Sequence, residues 1–381
     1  MRFTLFAVVV AALAVILVAP QTLPAQSGPP ASSLEPFKLG TFEIGGVPAV
    51  GIVLRDSLIV DLAAANRVLE ANPLYPRLPM PADMIDLISR YEYGLKPRLY
   101  EIVNDLVSTN RLTGAARPDF VYAVPDVRTL PPIMYPGKIL NAAVNFYSHV
   151  NETGTPEQIA ESRRERRENR GVPYMFLKPT RGAIIGNGDA VVLPDGRTSI
   201  DWEVELAAVI GRAARYVTAP DAEDHVFGYM ISLDISDRGG RPRGGASFSS
   251  DWFVGKGHDT FAPMGPWIVP KEFYGNPMEI LRQELRIGDT PMQEATAGDM
   301  IHSLWELVEY ASSIITLFPG DVINNGTSGG VGMGTAVRGE QRFLQPGEEI
   351  IATIDGIGTL RIPVVREEPP PPGTGARLTQ Q

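Results

Sequence analysis

The sequence predicts a mostly β, α+β protein, with a small N-terminal unit followed by a larger strand-rich one. Short apolar or alternating runs punctuated by glycine fill most of the chain. Sustained helical spacing of apolar residues is seen over 81–108 and 303–317. A 44% hydrophobic content over 381 residues is enough for a full core.

Taken in order, the first residues read as an address. Arg2 precedes an apolar run over 3–18 and then Leu23-Pro24-Ala25-Gln26, the pattern of a signal peptide (1–25) cleaved after Ala25. The run is shorter than the roughly 20 apolar residues of a spanning helix. The membrane is therefore expected to be met only in transit, and the mature protein to be periplasmic or secreted.

Residues 37–43, 47–54 and 58–62 read as short antiparallel strands, and Met84, Ile85, Leu87, Ile88, Ile102, Val103 and Leu106 follow helical spacing. These make an N-terminal α+β domain over 34–130. Pro125, Pro131, Pro132, Pro136 and Gly137 mark the connection to a second domain over 131–365. Strands are expected there at 139–146, 190–193, 199–210, 226–235, 267–269, 321–324 and 349–354. One amphipathic helix is expected at 303–317, with Leu304, Leu307, Val308, Ala311 and Ile314 on one side. The tail 367–381, opening on acids and four consecutive prolines, is expected to be disordered.

Residues 156–169 have almost no apolar face. The run Glu161 to Glu168 reads as a solvated helix laced by pairs such as Glu161 with Arg164. Lying between two candidate site segments, it also reads as a lid that orders when ligand binds.

A net charge of -10 and a pI near 5.1 exclude nonspecific nucleic-acid binding, which needs basic clusters. With no cysteine, disulfides, zinc–thiolate sites and cysteine nucleophiles are excluded together.

The chemically informative stretch is Ile200-Asp201-Trp202-Glu203-Val204-Glu205-Leu206. Alternation places Asp201, Glu203 and Glu205 on one face of a strand, roughly 7 Å apart along it. Like charges that close repel, and burial raises their pKa values, so a divalent cation is the simplest resolution. Asp234 likewise interrupts an apolar strand, which is costly unless its charge is paired. His149 and Glu152 stand three apart, close enough to meet on a turn. The stretch 326–334 offers backbone N–H groups and the Thr327 hydroxyl, suited to cradling a carboxylate, and lacks the lysine of a phosphate loop. His225, His258 and His302 carry no assigned role.

Four further segments, in order, join the acidic strand: Asn145-Phe146-Tyr147-Ser148-His149-Val150-Asn151-Glu152, then Gly228 to Arg238, Lys256 to Trp267, and Pro319 to Gly332. Together they resemble the fumarylacetoacetate hydrolase family over about 132–363. The resemblance implies a mixed β-sandwich roll, a homodimer, and Glu203, Glu205 and Asp234 as ligands of Mg²⁺, with Mn²⁺ or Ca²⁺ as alternatives. It implies that His149 and Glu152 activate water, and that Lys256 and Arg238 hold substrate oxygens. Gly326, Thr327 and Asn145 are grouped with them as substrate contacts, and Asp201 is not a ligand by position. The activity implied is carbon–carbon bond hydrolysis of acylpyruvate-like 2,4-diketo acids. A 2-keto acid decarboxylase, hydratase or isomerase on the same fold, or a keto-acid binding protein, are the alternatives. This chain departs from the family pattern at Phe146, Asp237 and Ser328, and in a longer connection over 152–176.

Overall fold

The computed structural model describes residues 30–240, 251–339 and 341–374. The leader expected over 1–25 and the tail residues 375–381 lie outside them.

Strands Lys38–Ile44, Val47–Leu54 and Leu58–Asp61 form a meander whose first turn is Gly45-Gly46. Both glycines have positive φ, the conformation that a tight hairpin requires. Asp61 then caps helix Leu62–Leu69 by accepting from the Ala64 N–H. The helical stretch expected over 81–108 is broken into Met84–Arg90, a wide turn Tyr91–Leu95, and Lys96–Ser108. Gly94, at φ 121, is the break, and Pro97 starts the second helix because it cannot donate into a preceding turn.

Ten strands lie side by side in one sheet. Their order is Val121–Ala123, Leu58–Asp61, Val47–Leu54, Lys38–Ile44, Ala262–Pro270, Val226–Leu233, Val204–Ile210, Val322–Asn324, Ile139–Ala142 and Met175–Lys178. Leu39 pairs with Ile268, so the sheet runs without interruption across segments the sequence separates near 130. A second sheet of five strands orders Thr290–Thr296, Arg282–Ile287, Glu349–Ile354, Gly358–Arg366 and Val191–Leu193. The result is mostly β with mixed sheets, as the sequence predicts.

Strand Val204–Ile210 is buried on both faces. Leu206, Ala208 and Ile210 pack toward the five-stranded sheet and helix Leu304–Ile314. Ala207 and Val209 pack toward the helices at Leu87, Leu99 and Val103. Its unbroken apolar run follows from this two-sided burial.

Several expectations are corrected. The strand expected over 199–210 splits: Ile200–Asp201 pairs with Ser236–Asp237, and pairing with Val226–Leu233 resumes at Val204. The Val204 amide and carbonyl are met partly by side chains instead, since Gln293 Oε1 accepts from its N–H and Thr327 Oγ1 donates to its carbonyl. The hairpin Arg282–Ile287 with Thr290–Thr296 and the edge strand Met175–Lys178 were not expected. The tail is still tied at Glu367, whose N–H donates to Leu193 O at 2.9 Å.

Helix Pro156–Glu168 is the solvated one expected, with no buried residue, a Thr155/Gln158 capping box and the Glu161–Arg164 pair. Among the described residues, no helix is long and apolar enough to cross a membrane.

Candidate functional site

The antiparallel pairing of Val204–Ile210 with Val226–Leu233 places Glu205 opposite Ser232 and brings Asp234 beside Glu203, where Asp234 N donates to Glu203 O at 2.9 Å. Side chains two apart share a face. Glu203, Glu205 and Asp234 therefore converge, with ligand oxygens all within 4.8 Å of one another and each residue buried.

Three cations neutralise most of this charge. Lys256 Nζ donates to Glu203 Oε2 at 2.9 Å, Asp234 Oδ2 at 2.6 Å and Ser236 Oγ at 2.6 Å. Arg238 bridges Asp201 and Glu203. Lys178, fully buried, donates to Asp234 Oδ1 and to Ile235 O. Burial works to raise the Glu203 pKa, but Lys256, Arg238 and His149 together hold that carboxyl below its ordinary range. Burial likewise pulls the Lys256 ammonium down, and Asp234 and Glu203 more than restore it. For Lys178 burial prevails, and with the nearby charge of Lys256 it lowers the amine despite Asp234.

Glu205 is the exception. Its Oε2 accepts from the Gly326 N–H at 3.0 Å, while its Oε1 is buried with no hydrogen-bond partner among the described residues. Burial, reinforced by Asp234 and Glu203, pushes this carboxyl well above its ordinary range. An unpaired carboxylate oxygen facing two other acids offers an all-oxygen ligand set that suits a divalent cation. The residues present thus fit the ion that the sequence implies.

Asp201 is buried and is not one of the three converging ligands. Its carboxylate accepts from the N–H groups of Trp202, Gly332 and Met333 and from Arg238. It anchors the end of the glycine-rich stretch 326–334.

The other predicted pair meets as well: His149 Nδ1 contacts Glu152 Oε1, and Gly330 N–H donates to Glu152 Oε2 at 2.7 Å. The turn Tyr147–His149 carrying His149 is held by Asp299, which accepts from Ser148 N and Oγ, and by Arg163, whose Nη2 donates to Ser148 O at 2.6 Å. Ser148, Glu152, Ile159, Arg163, Arg286 and Gly330 are among the residues lining an adjoining cavity of about 650 Å³.

The three predicted substrate contacts are engaged within the protein. Asn145 donates to His302 O and Asn325 O and accepts from His302 N, which ties its loop to the segment before Gly326. Thr327 Oγ1 donates to Val204 O and accepts from Gln293 Nε2. Gly326, at φ 83, places its N–H on Glu205.

Two of the departing residues have structural partners: Asp237 forms a two-pronged ion pair with Arg197, and the Ser328 carbonyl accepts from Gln293. Phe146 is buried in the core. His258 contacts Asp237 at 3.1 Å. Residues the sequence reading missed are Lys178, Ser148, Gln293 and Asp299. Lys178 carried the signal that singled out Asp234, a charge at the end of an apolar run.

Converging buried acids with one oxygen left open, beside a histidine–carboxylate pair, define an enzyme with a carboxylate triad able to hold a divalent cation. The chain belongs to the fumarylacetoacetate (FAA) hydrolase family, whose C-terminal model matches residues 138–365. It is 33% identical over 326 residues to oxaloacetate tautomerase YisK of Bacillus subtilis, covering 85% of this chain and 98% of that one. It is 32% identical over 306 residues to maleylpyruvate hydrolase of Aquipseudomonas alcaligenes, covering 80% of this chain and 95% of that one. Among solved structures it is similar to maleylpyruvate hydrolase from Sphingobium sp. SYK-6 in complex with manganese(II) and pyruvate. That match has a TM-score of 0.62 and 28% identity, over 87% of this chain and 100% of that one.

Proposed function

We propose that this enzyme is a divalent-metal-dependent hydrolase that cleaves a carbon–carbon bond in acylpyruvate-like 2,4-diketo acids. The observation that carries the reading is the His149–Glu152 pair, bonded through the Gly330 N–H to the glycine-rich stretch whose Gly326 N–H meets Glu205 of the triad. Glu203, Glu205 and Asp234 would hold Mg²⁺, or Mn²⁺ as in the similar hydrolase, and such an ion supplies Lewis-acid polarisation of a keto acid.

The chain's own residues do the rest. Glu152, fixed by Gly330 and facing Nδ1, orients the imidazole and leaves Nε2 to accept a proton from water. The resulting hydroxide adds to the distal carbonyl. The bond between that carbon and the pyruvyl methylene then breaks, releasing a carboxylic acid and the pyruvate enolate. Lys256 and Arg238 stabilise the enolate charge until a proton returns to carbon.

Mass spectrometry of the mature protein with Mg²⁺ or Mn²⁺, against acylpyruvates, oxaloacetate and hydroxy-keto acids, tests this. Acylpyruvates should yield pyruvate and the matching acid. Full cleavage after complete chelation of divalent metal would count decisively against it.

The similarity to an oxaloacetate tautomerase over nearly all of that protein favours a second reading, keto–enol isomerisation or decarboxylation of oxaloacetate-like acids. That chemistry does not need the water-activating pair, so it would survive His149→Gln while hydrolysis would not.

Two further expectations remain proposals. A homodimer is supported by the apolar side chains left exposed at the sheet edge, Tyr174 and Leu177, and by Phe253 of the short helix Trp252–Lys256, and equilibrium sedimentation tests it. Export rests on the leader pattern alone, and the mass of the mature chain tests it.

A further inference from the structure

Behind the triad, on the same face of the large sheet, lies a set of buried polar groups that the proposed reaction does not use. Asn324 lies opposite Ala207, two residues along from Glu205, and Asn141 lies opposite Asn324 on the next strand. Cross-strand partners share a face, and diagonal neighbours stand roughly 7–8 Å apart, within reach of long side chains. Ser232, opposite Glu205, accepts from Asn324 Nδ2 at 3.0 Å.

Asn141, Asn324, Ser232 and Glu205 are each at most 1% exposed. Yet Asn141 Oδ1 and Nδ2, Asn324 Oδ1 and Glu205 Oε1 have no hydrogen-bond partner among the described residues. Turning the Asn141 amide over exchanges its two ends and leaves both unpartnered. Leaving such groups unpaired costs about 1–3 kcal/mol each, so orphan groups on one face call for a polar partner.

The donor–acceptor inventory selects that partner. Three of the four are acceptors and one is a donor, which a bare cation would leave unmet. Water donates twice and accepts, and buried water typically makes about three such bonds. A carboxylate oxygen has two lone pairs, so Glu205 Oε1 can take a metal ion on one and a water proton on the other.

We infer that Asn141 and Asn324 are positioning residues that hold ordered water against Glu205 Oε1 and thereby set the affinity of the triad for its divalent ion. The inference rests on the metal-centre reading above. Neither asparagine touches the ion or the substrate. Their effect is to fix the rotamer of that ligand and the direction of its open oxygen.

Mn²⁺ binding, followed by the electron paramagnetic resonance of free ion in titrations of the full chain, is the test. Outer-shell partners of this kind typically change metal affinity by about 10- to 100-fold. Asn141→Leu and Asn324→Leu should each weaken Mn²⁺ by at least tenfold, with the melting temperature of the metal-free protein unchanged or raised. Should either leucine variant fold poorly, Asn141→Ala and Asn324→Ser give the same comparison with less bulk. Wild-type affinity in well-folded variants would overturn the inference while leaving the metal centre standing. No Mn²⁺ binding by the wild type would overturn the metal centre, and the inference with it. A high-resolution crystal structure should show water within hydrogen-bonding distance of Glu205 Oε1 and of one of the two amides, and a dry site there would also overturn it.

Discussion

Gly334 leaves the space that Glu152 occupies: a Cβ at position 334 would stand 2.3 Å from Glu152 Oε2. The glycine-rich turn and the histidine's carboxylate partner are therefore fitted to each other, with Gly330 N–H bonded to the same oxygen. We predict that Gly334→Ala displaces Glu152 and costs much of what the water-activating pair supplies, about 10²- to 10⁴-fold in kcat. Mn²⁺ affinity should stay at the wild-type level, because the triad is not touched. Steady-state kinetics beside a Mn²⁺ titration checks both halves.

For the metal, Glu203→Gln should abolish Mn²⁺-dependent activity while the far-ultraviolet circular dichroism stays native. The side-chain partners of Glu203 are Lys256 and Arg238, both members of the same cluster, so the change is confined to the site. Chelation of the wild type should have the same effect and be reversed by adding metal back. Activity retained by Glu203→Gln with metal present would remove it from the site.

Arg197 and Asp237 form a buried two-pronged ion pair, at 2.6 Å and 2.8 Å, with His258 on the same carboxylate. Breaking one partner of such a pair typically costs about 3–5 kcal/mol. Asp237→Asn should lose stability on that scale in urea denaturation. Burial alone would raise the Asp237 pKa, but His258 and Arg197 hold it below the ordinary range. A depressed carboxylate contributes stability above its unfolded value of about 3.9, and that contribution is lost as pH falls through the folded value. The wild type should therefore lose stability relative to Asp237→Asn below about pH 4.

Arg163 projects from the solvated helix onto Ser148 O and lines the cavity beside Glu152. If the helix acts as a lid, Arg163→Met should raise KM roughly tenfold, the worth of one hydrogen bond from a charged group, with kcat little changed. Arg164, on the exposed side of the same helix, pairs with its helix neighbours Glu161 and Glu168. Arg164→Ala should change stability by under about 1 kcal/mol and leave KM alone. Equal kinetics for the two variants would dismiss the lid.

The sequence by itself determined the strand-rich class and the solvated helix, marked Glu203, Glu205 and Asp234 as acids out of place, and implied them as one ligand set through the family resemblance of its motifs. A two-residue alternation fixes which side chains share a face, and a carboxylate inside an apolar run has few tolerable surroundings. Asp234 could be found because it interrupts such a run, and Lys178, which ends another, could have been found by a similar signal. Tertiary structure alone decided the rest. Beyond the break at Trp202 and Glu203, the backbone of Val204 is met by side chains of Gln293 and Thr327, residues distant in sequence. Thr327 and Asn145 are spoken for by partners that only folding brings near. The pairing of Asn141 with Asn324 depends on a parallel register between segments 183 residues apart, so the unpaired amides behind Glu205 exist only once the sheet has closed.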